Sequence, residues 1–216
     1  MLGEYIYAQD GDAIYINQFV SSILKADGIC LRQETNYPID GKISVQASGA
    51  AVLKIRIPSW CEKFTLNRPY TLKNGYAEII NDGGRIELEL DMTPFAVRAD
   101  ARVQADVNKL CIQAGPVVYC AEWADNGDNL HALCLSSDFK CKIEYDPSIG
   151  LNALEISGFE ACSQGGLYTR GRRELKEKKI RLIPYNAFAN RGPGDMLVWF
   201  CLLYTSDAAD DLTRVD

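Results

Sequence analysis

Apolar and charged residues alternate strictly at several places in the chain, and this period of two constrains the fold more than any other feature. Leu53, Ile55 and Ile57 alternate with Lys54 and Arg56, and Ile86, Leu88 and Leu90 alternate with Glu87 and Glu89. Successive side chains of a strand point to opposite faces, so each segment predicts a strand with one buried and one solvated face. Ile43 with Val45 and Ile180 with Leu182 repeat the pattern, and "NKLCIQAGPVVYCAE" places two apolar runs around Gly115 and Pro116. Between the strands fall the turn signals "PIDGK", "LKNGY", "NDGGR" and "NRGPGD". Only the first eight or so residues and part of 172–179 read as helical. The fold expected is all-β, two β-sandwich domains with a short helical remnant at the N-terminus. The expected boundaries are 1–10 for the end of a truncated helical barrel, 11–108 for the first sandwich and 109–200 for the second, with the last strand free to return to the first.

With 216 residues and 47% hydrophobic content the chain can build real cores. Its longest apolar run, Met196 to Tyr204, is nine residues, whereas a membrane helix needs about 20. A net charge of −6 argues against a nucleic-acid partner. The basic residues Arg170, Arg172, Arg173, Lys176, Lys178 and Lys179 are interleaved with Glu174 and Glu177 and read as a solvated loop leading into a strand. No secretory signal follows Met1. Eight scattered cysteines, no Cys-x-x-Cys pair and the single His131 fit no zinc centre. Free thiols within strand patterns behave as small hydrophobes, which leans toward a reducing, cytoplasmic setting for a soluble protein.

The search for chemistry returns structural readings. Glu87 and Glu89 share a strand face but point away from the leucines, so neither sits in the apolar pocket that a general acid requires. Asp100 and Asp106 read as turn and strand-end residues. Cys111 and Cys120 flank the "QAGPV" turn one residue off register, on opposite faces, without a base beside either. "NRGPGD" lacks the Lys-Ser/Thr of a phosphate loop and reads as a hairpin turn. Tyr37, Trp60, Tyr76, Trp123, Tyr185 and Phe188 lie at strand ends or turns, where they could stack on sugars but are expected to cover the cores.

Five phrases go further: "ETNYPIDGKISV", "LKIRIPSWC", "GYAEI", "GPVVYCAEWADN" and "IPYNAFANRGPGDMLVW". Their order and spacing over nearly all of residues 1 to 200 resemble glycoside hydrolase family 127, typified by β-L-arabinofuranosidase. The match is carried by Glu34, Tyr37, Pro38, Asp40 and Gly41; by Arg56, Ile57, Pro58 and Trp60; by Gly115, Pro116, Tyr119, Glu122, Asp125 and Asn126; and by Pro184, Tyr185, Asn190, Arg191, Gly192 and Trp199. Between Tyr76 and Leu90 the family's Trp and Gly-Asp pair is replaced by the shorter "INDGGRIELEL", and 139–179 matches weakly. The resemblance implies a catalytic (α/α)6 barrel preceding the sandwiches, with a zinc-bound cysteine thiolate as nucleophile and a glutamate as general acid/base. No catalytic, cofactor-binding or metal-ligating residue of that set has a counterpart here. The resemblance therefore implies a non-catalytic fragment of a hydrolase of L-arabinofuranosides, whose partner is the absent barrel of the same chain and, as a second option, another copy of itself. Carbohydrate is met only through the parent enzyme, and zinc is expected only in the absent domain. A free-standing carbohydrate-binding module and an immunoglobulin-like structural tandem are the competing readings.

The terminus stands apart. "CLLYTSDAADD" can be reverse-translated into a sequencing-library adapter, so 201–216 is expected to be a non-native tail. Removing it would halve the net charge, because it carries four Asp against one Arg.

Overall fold

The computed structural model describes residues 2–26, 28–162, 167, 168, 170 and 174–203, and the chain divides into two compact units, 1–93 and 94–216. After a short 3-10 helix at Leu2–Tyr5, the first unit runs through β1 (Tyr7–Asp10), β2 (Ala13–Ile16), β3 (Ser22–Ala26), β4 (Ile29–Thr35) and β5 (Lys42–Ser48). It continues through β6 (Val52–Arg56), β7 (Phe64–Leu66), β8 (Thr71–Lys73), β9 (Tyr76–Ile80) and β10 (Ile86–Leu90). Two five-stranded sheets result, ordered β1-β2-β6-β9-β8 and β3-β4-β5-β10-β7. The alternation dictates how they meet: Ile14, Leu53 and Ile55 from one sheet join Leu31, Val45 and Leu88 from the other in a single core. The period-two segments read from the sequence at 43–45, 53–55 and 86–90 are thus the inner faces of a sandwich. Residues 7–10 differ from the expected helical end, because β1 pairs antiparallel with β2 from Tyr7–Ile16 to Asp10–Ala13.

Two glycines are demanded by geometry. At the β8–β9 hairpin Asn74 and Gly75 take φ of 51° and 79°, the left-handed pair that suits the strand twist of a tight hairpin. Gly41 lies against β10, where its carbonyl accepts from Leu90 N at 2.9 Å. A Cβ on Gly41 would stand 2.0 Å from the Leu90 carbonyl oxygen.

The second unit contains β11 (Phe95–Val97), β12 (Lys109–Ala114), β13 (Val117–Glu122), the single-turn helix α1 (Trp123–Asn126), β14 (Leu133–Ser136) and β15 (Cys141–Asp146). It ends with β16 (Leu151–Cys162), β17 (Glu174–Pro184), β18 (Met196–Leu197) and β19 (Phe200–Leu203). The division falls at Thr93/Pro94 rather than at 106–109 because β11 pairs with β12 and belongs to this unit. Its pairings close on themselves: β12 to β19, β14, β16, β17, β13 and back to β12. Closure satisfies backbone groups that would otherwise line open edges. Inside the ring, alternate residues such as Leu110, Ile112, Leu135, Ile156, Leu182 and Phe200 form the core, all at 0% exposure.

Several expectations are corrected here. Residues 174–179 are neither helix nor loop; they extend β17 along β16, with Lys179 paired to Glu155 at 2.7 Å and Lys178 to Glu160 at 2.9 Å. Arg172 and Arg173 lie outside the described residues. The hairpin register sets Gln113 opposite Val118 and Ala114 opposite Val117, so Cys111 and Cys120 are equally far from the turn rather than offset by one. The last strands stay in the second unit, β18 on β13 and β19 between β12 and β14. β19 covers Phe200–Leu203, with Phe200 and Leu202 buried in the same core. Residues 204–216 lie outside the described residues. Among the described residues no helix is long and apolar enough to cross a membrane.

The Gly41 contact gives a direct test of strand packing. Gly41→Ala is expected to lower the stability of the first unit by about 3 kcal/mol, because the close partner is backbone and cannot rotate away. Urea unfolding followed by tryptophan fluorescence and circular dichroism measures it.

Candidate functional site

The motif residues of the second unit converge at the end of β13. Glu122, the last residue of that strand, is 5% exposed, which is costly for a carboxylate unless its oxygens are occupied. Both are: Oε1 accepts from Ala189 N at 2.8 Å and Oε2 from the Arg191 guanidinium. Arg191 also forms a two-pronged contact with Asp125, Nη1 to Oδ1 at 3.0 Å and Nη2 to Oδ2 at 2.6 Å. These hydrogen bonds, Asp125 first, raise the arginine pKa further above its ordinary value and keep it charged. Asp125 in α1 lies three residues beyond Glu122, so the end of β13 and the helix that follows it aim two carboxylates at one guanidinium.

Asn126 completes the cluster from the same helix. Its amide donates to the carbonyls of Glu122 at 3.1 Å and Arg181 at 2.9 Å, and its oxygen accepts from Arg181 N at 3.0 Å. Asn126 thereby satisfies the backbone of β17 as a neighbouring strand would. The Arg181 side chain bonds Asp146 at 2.6 Å and approaches Asp125 at 3.7 Å. Sequence reading passes over Arg181 and Asp146: a charged residue between Ile180 and Leu182 is indistinguishable from any solvent-facing strand position, and Asp146 reads as a strand-end residue.

This geometry changes the reading of "NRGPGD". β17 and β18 pair with opposite edges of β13, so 185–195 is a crossing over the end of β13 rather than a hairpin turn. The crossing is held where Arg191 meets Glu122 and where Trp123 N donates to Asp195 O at 3.2 Å. Ala189, at φ of 63°, is strained, and its amide is the one that Glu122 receives. Chemically the cluster is a closed ionic latch. Its acid groups are matched by guanidinium and backbone donors.

A second feature lies on the outer face of the β3-β4-β5-β10-β7 sheet: an open groove of about 1190 Å³. Glu87 and Glu89 face into it from β10, on the side away from Leu88, as their alternation requires. The remaining sequence candidates are dispersed. Asp100 is a turn residue that accepts from Arg102 N and Nε, each at 2.9 Å, and those bonds hold it below the usual carboxylate range. Asp106 ends a 3-10 helix beside Lys109, and His131 is exposed on another. Tyr37, Trp60 and Phe188 pack on the cores, and Tyr76 meets Tyr15 edge-on at 5.2 Å. Trp123 and Tyr185 remain exposed, at 41% and 51%.

Two family models account for most of the chain: the glycoside hydrolase family 127 middle domain of β-L-arabinofuranosidase matches 13–92, and the family 127 C-terminal domain matches 94–201. The chain belongs to glycoside hydrolase family 127. It is 28% identical to the non-reducing end β-L-arabinofuranosidase of Bifidobacterium longum subsp. longum over 90% of this chain and 34% of that protein. Among solved structures, a family 127 β-L-arabinofuranosidase from Geobacillus stearothermophilus T6 superposes with a TM-score of 0.83 at 31% identity, covering 94% of this chain and 35% of that one. A further family 127 β-arabinofuranosidase gives 0.80 at 30% identity, covering 94% and 37%. The chain spans about a third of the length of these family 127 relatives.

Against this family background the thiols are informative. None of the eight cysteines forms a disulfide, and among the described residues no three His, Cys, Asp or Glu side chains gather as a metal site needs. Burial raises the pKa of Cys61, Cys111 and Cys141, and pushes Cys120 up to about 12. Cys111 and Cys120 are core residues at 5% and 0% exposure.

Two outcomes follow from these environments. Arg191→Met leaves the Glu122 carboxylate buried without its cation, and the second unit is expected to lose about 3 kcal/mol, with Arg191→Lys recovering only part because one ammonium cannot reproduce the fork; urea midpoints measure both. The second concerns alkaline pH. Burial pushes the Tyr37 and Tyr119 hydroxyls, like the Cys120 thiol, up to about 12. The folded state therefore holds these protons longer than the unfolded chain. Their contribution is complete below about pH 9 and is lost as pH rises toward about 12. Unfolding midpoints at stepped pH are expected to fall across that window, and Cys120→Ala is expected to flatten the fall.

Proposed function

We propose that this chain supplies two non-catalytic sandwich domains to a glycoside hydrolase acting on L-arabinofuranosides, packing against and supporting an (α/α)6 catalytic barrel. The observation that carries the reading is the match to family models described as middle and C-terminal domains, in relatives about three times longer. The site geometry supports it. Glu122, Asp125 and Arg191, the motif residues best suited to chemistry, are spent on holding the 185–195 crossing. In this reading the cysteine thiolate, its zinc and the general acid/base belong to the barrel, and the sandwiches contribute surface and rigidity. A free-standing module built on aromatic stacking fits less well, since Tyr37, Trp60 and Phe188 are committed to the cores.

The test is catalytic complementation. The purified chain is expected to leave an aryl β-L-arabinofuranoside unhydrolysed, and co-expression with the barrel of a family 127 relative is expected to yield a stable, active complex. Turnover by the chain alone that survives further purification would sink the proposal, as would a barrel that neither binds the chain nor gains activity from it.

A further inference from the structure

The second unit closes most of its strands into a ring, but β15 lies outside it. Among the described residues β15 pairs only with β16, from Cys141–Ile156 to Asp146–Leu151, and its other side is a sheet edge. At six residues it is the longest edge strand among the described residues. An edge of this kind is a template for another strand unless charge, proline or a bulge blunts it. β15 has no proline before its end, and its charges are of both signs: Lys142 and Glu144 pair on one face, 68% and 51% exposed. On the other face Ile143 and Tyr145 are 48% and 56% exposed, although Ile143 shares its cross-strand row with the buried Leu154 and Leu182. The inner apolar layer runs out to this edge and stops there uncovered.

Backbone register decides what the edge offers. Ser157 N donates to Lys140 O at 3.0 Å, so these two form a hydrogen-bonded pair of the antiparallel ladder. Counting on by twos, the N–H and C=O groups of Lys142, Glu144 and Asp146 turn toward β16, and those of Cys141, Ile143 and Tyr145 turn outward. A second copy added across a two-fold axis must set outward residues opposite one another, each residue i meeting j as j meets i. Every allowed register is therefore centred on one residue of β15. Centring on Lys142, Glu144 or Asp146 sets that charge against its own copy. Centring on Cys141 sets Lys140 against Lys142, and centring on Tyr145 sets Glu144 against Asp146. Centring on Ile143 alone matches every opposed charge: Lys142 meets Glu144, and Lys140 meets Asp146. In that same register Ile143 meets its own copy and Cys141 meets Tyr145, which carries the apolar layer across the axis.

We infer that β15 is a self-pairing edge, at which two copies of this chain join antiparallel about Ile143 and continue the sheet. The occupant is a second copy because the complementarity is complete within Lys140 to Asp146 and draws on no other sequence. Backbone bonds and the Ile143 and Tyr145 side chains supply the attraction. The charges select the register, since the Lys142–Glu144 pair within each copy is exchanged for two pairs between copies. The inference does not rest on the proposed hydrolase role.

Sedimentation velocity of the 216-residue chain over a concentration series tests it, with a monomer–dimer equilibrium expected. Lys142→Glu and Glu144→Lys each set like charges opposite one another, and each alone is expected to raise the dimer dissociation constant about tenfold or more. An equimolar mixture of these two variants is expected to form a heterodimer, and the double variant Lys142→Glu/Glu144→Lys a homodimer, because both arrangements restore opposite charges. Ile143→Pro removes an outward N–H and is expected to abolish the dimer while circular dichroism stays unchanged. The inference is overturned if the chain is monomeric at every concentration, or if the dimer survives both single charge reversals, which would place the interface elsewhere. It is equally overturned if neither the mixture nor the double variant recovers association, since register selection by charge would then be absent. None of these readouts involves hydrolysis, so failure here is distinguishable from failure of catalytic complementation.

Discussion

Burial of every second side chain between hydrogen-bonded strands is the constraint from which the rest of this structure follows. A strand so patterned can satisfy its backbone only through neighbours and its apolar face only through a second layer. In the first unit two five-stranded sheets supply both, with Leu31, Val45, Leu53, Ile55 and Leu88 locked at the interface. In the second unit the same demand is met by closing the strand pairings into a ring around Leu110, Ile156, Leu182 and Phe200. The outward side chains are then free of packing duties. That freedom lets one sheet carry a groove of charged and hydroxyl groups, and lets the end of β13 carry an ionic latch.

The latch shows how a motif can be chemically suggestive and structurally employed. A buried glutamate beside an aspartate and an arginine resembles acid/base machinery in composition. In the structure the Ala189 amide and the Arg191 guanidinium occupy the Glu122 carboxylate. The arrangement solves a topological problem: β17 and β18 lie on opposite edges of β13, so the chain must cross the strand end and be held there. Burying a paired charge is weak evidence of net stabilisation, but removing one partner is costly, which suits a device that specifies one path for the crossing.

Much of the fold was legible in the sequence. The alternations at 53–57 and 86–90 located β6 and β10, and the Asn74-Gly75 pair located a hairpin, because each is a local rule with a local cause. Residues 7–10 and 174–179 were misread because short polar stretches take their structure from the strands beside them; β1 needs β2, and the start of β17 needs the long β16. The one-residue error at Cys111 and Cys120 has the same origin, since hairpin register depends on how many residues the turn consumes. Of the latch, Glu122, Asp125, Asn126 and Arg191 stood out through family resemblance, whereas Arg181 and Asp146 carried no sequence signal.

What the sequence determined by itself is the class of structure and the family: period-two burial leaves no other fold class, and the ordered motifs extend from Glu34 to Trp199. Tertiary structure decided what those residues do. Only the strand order shows that "NRGPGD" crosses a strand end, and only the register places Ser44 between Glu34 and Glu87. The physical reason is separation along the chain. Glu122 and Arg191 are 69 residues apart, and no local propensity encodes which distant strand will bring a cation to a buried acid.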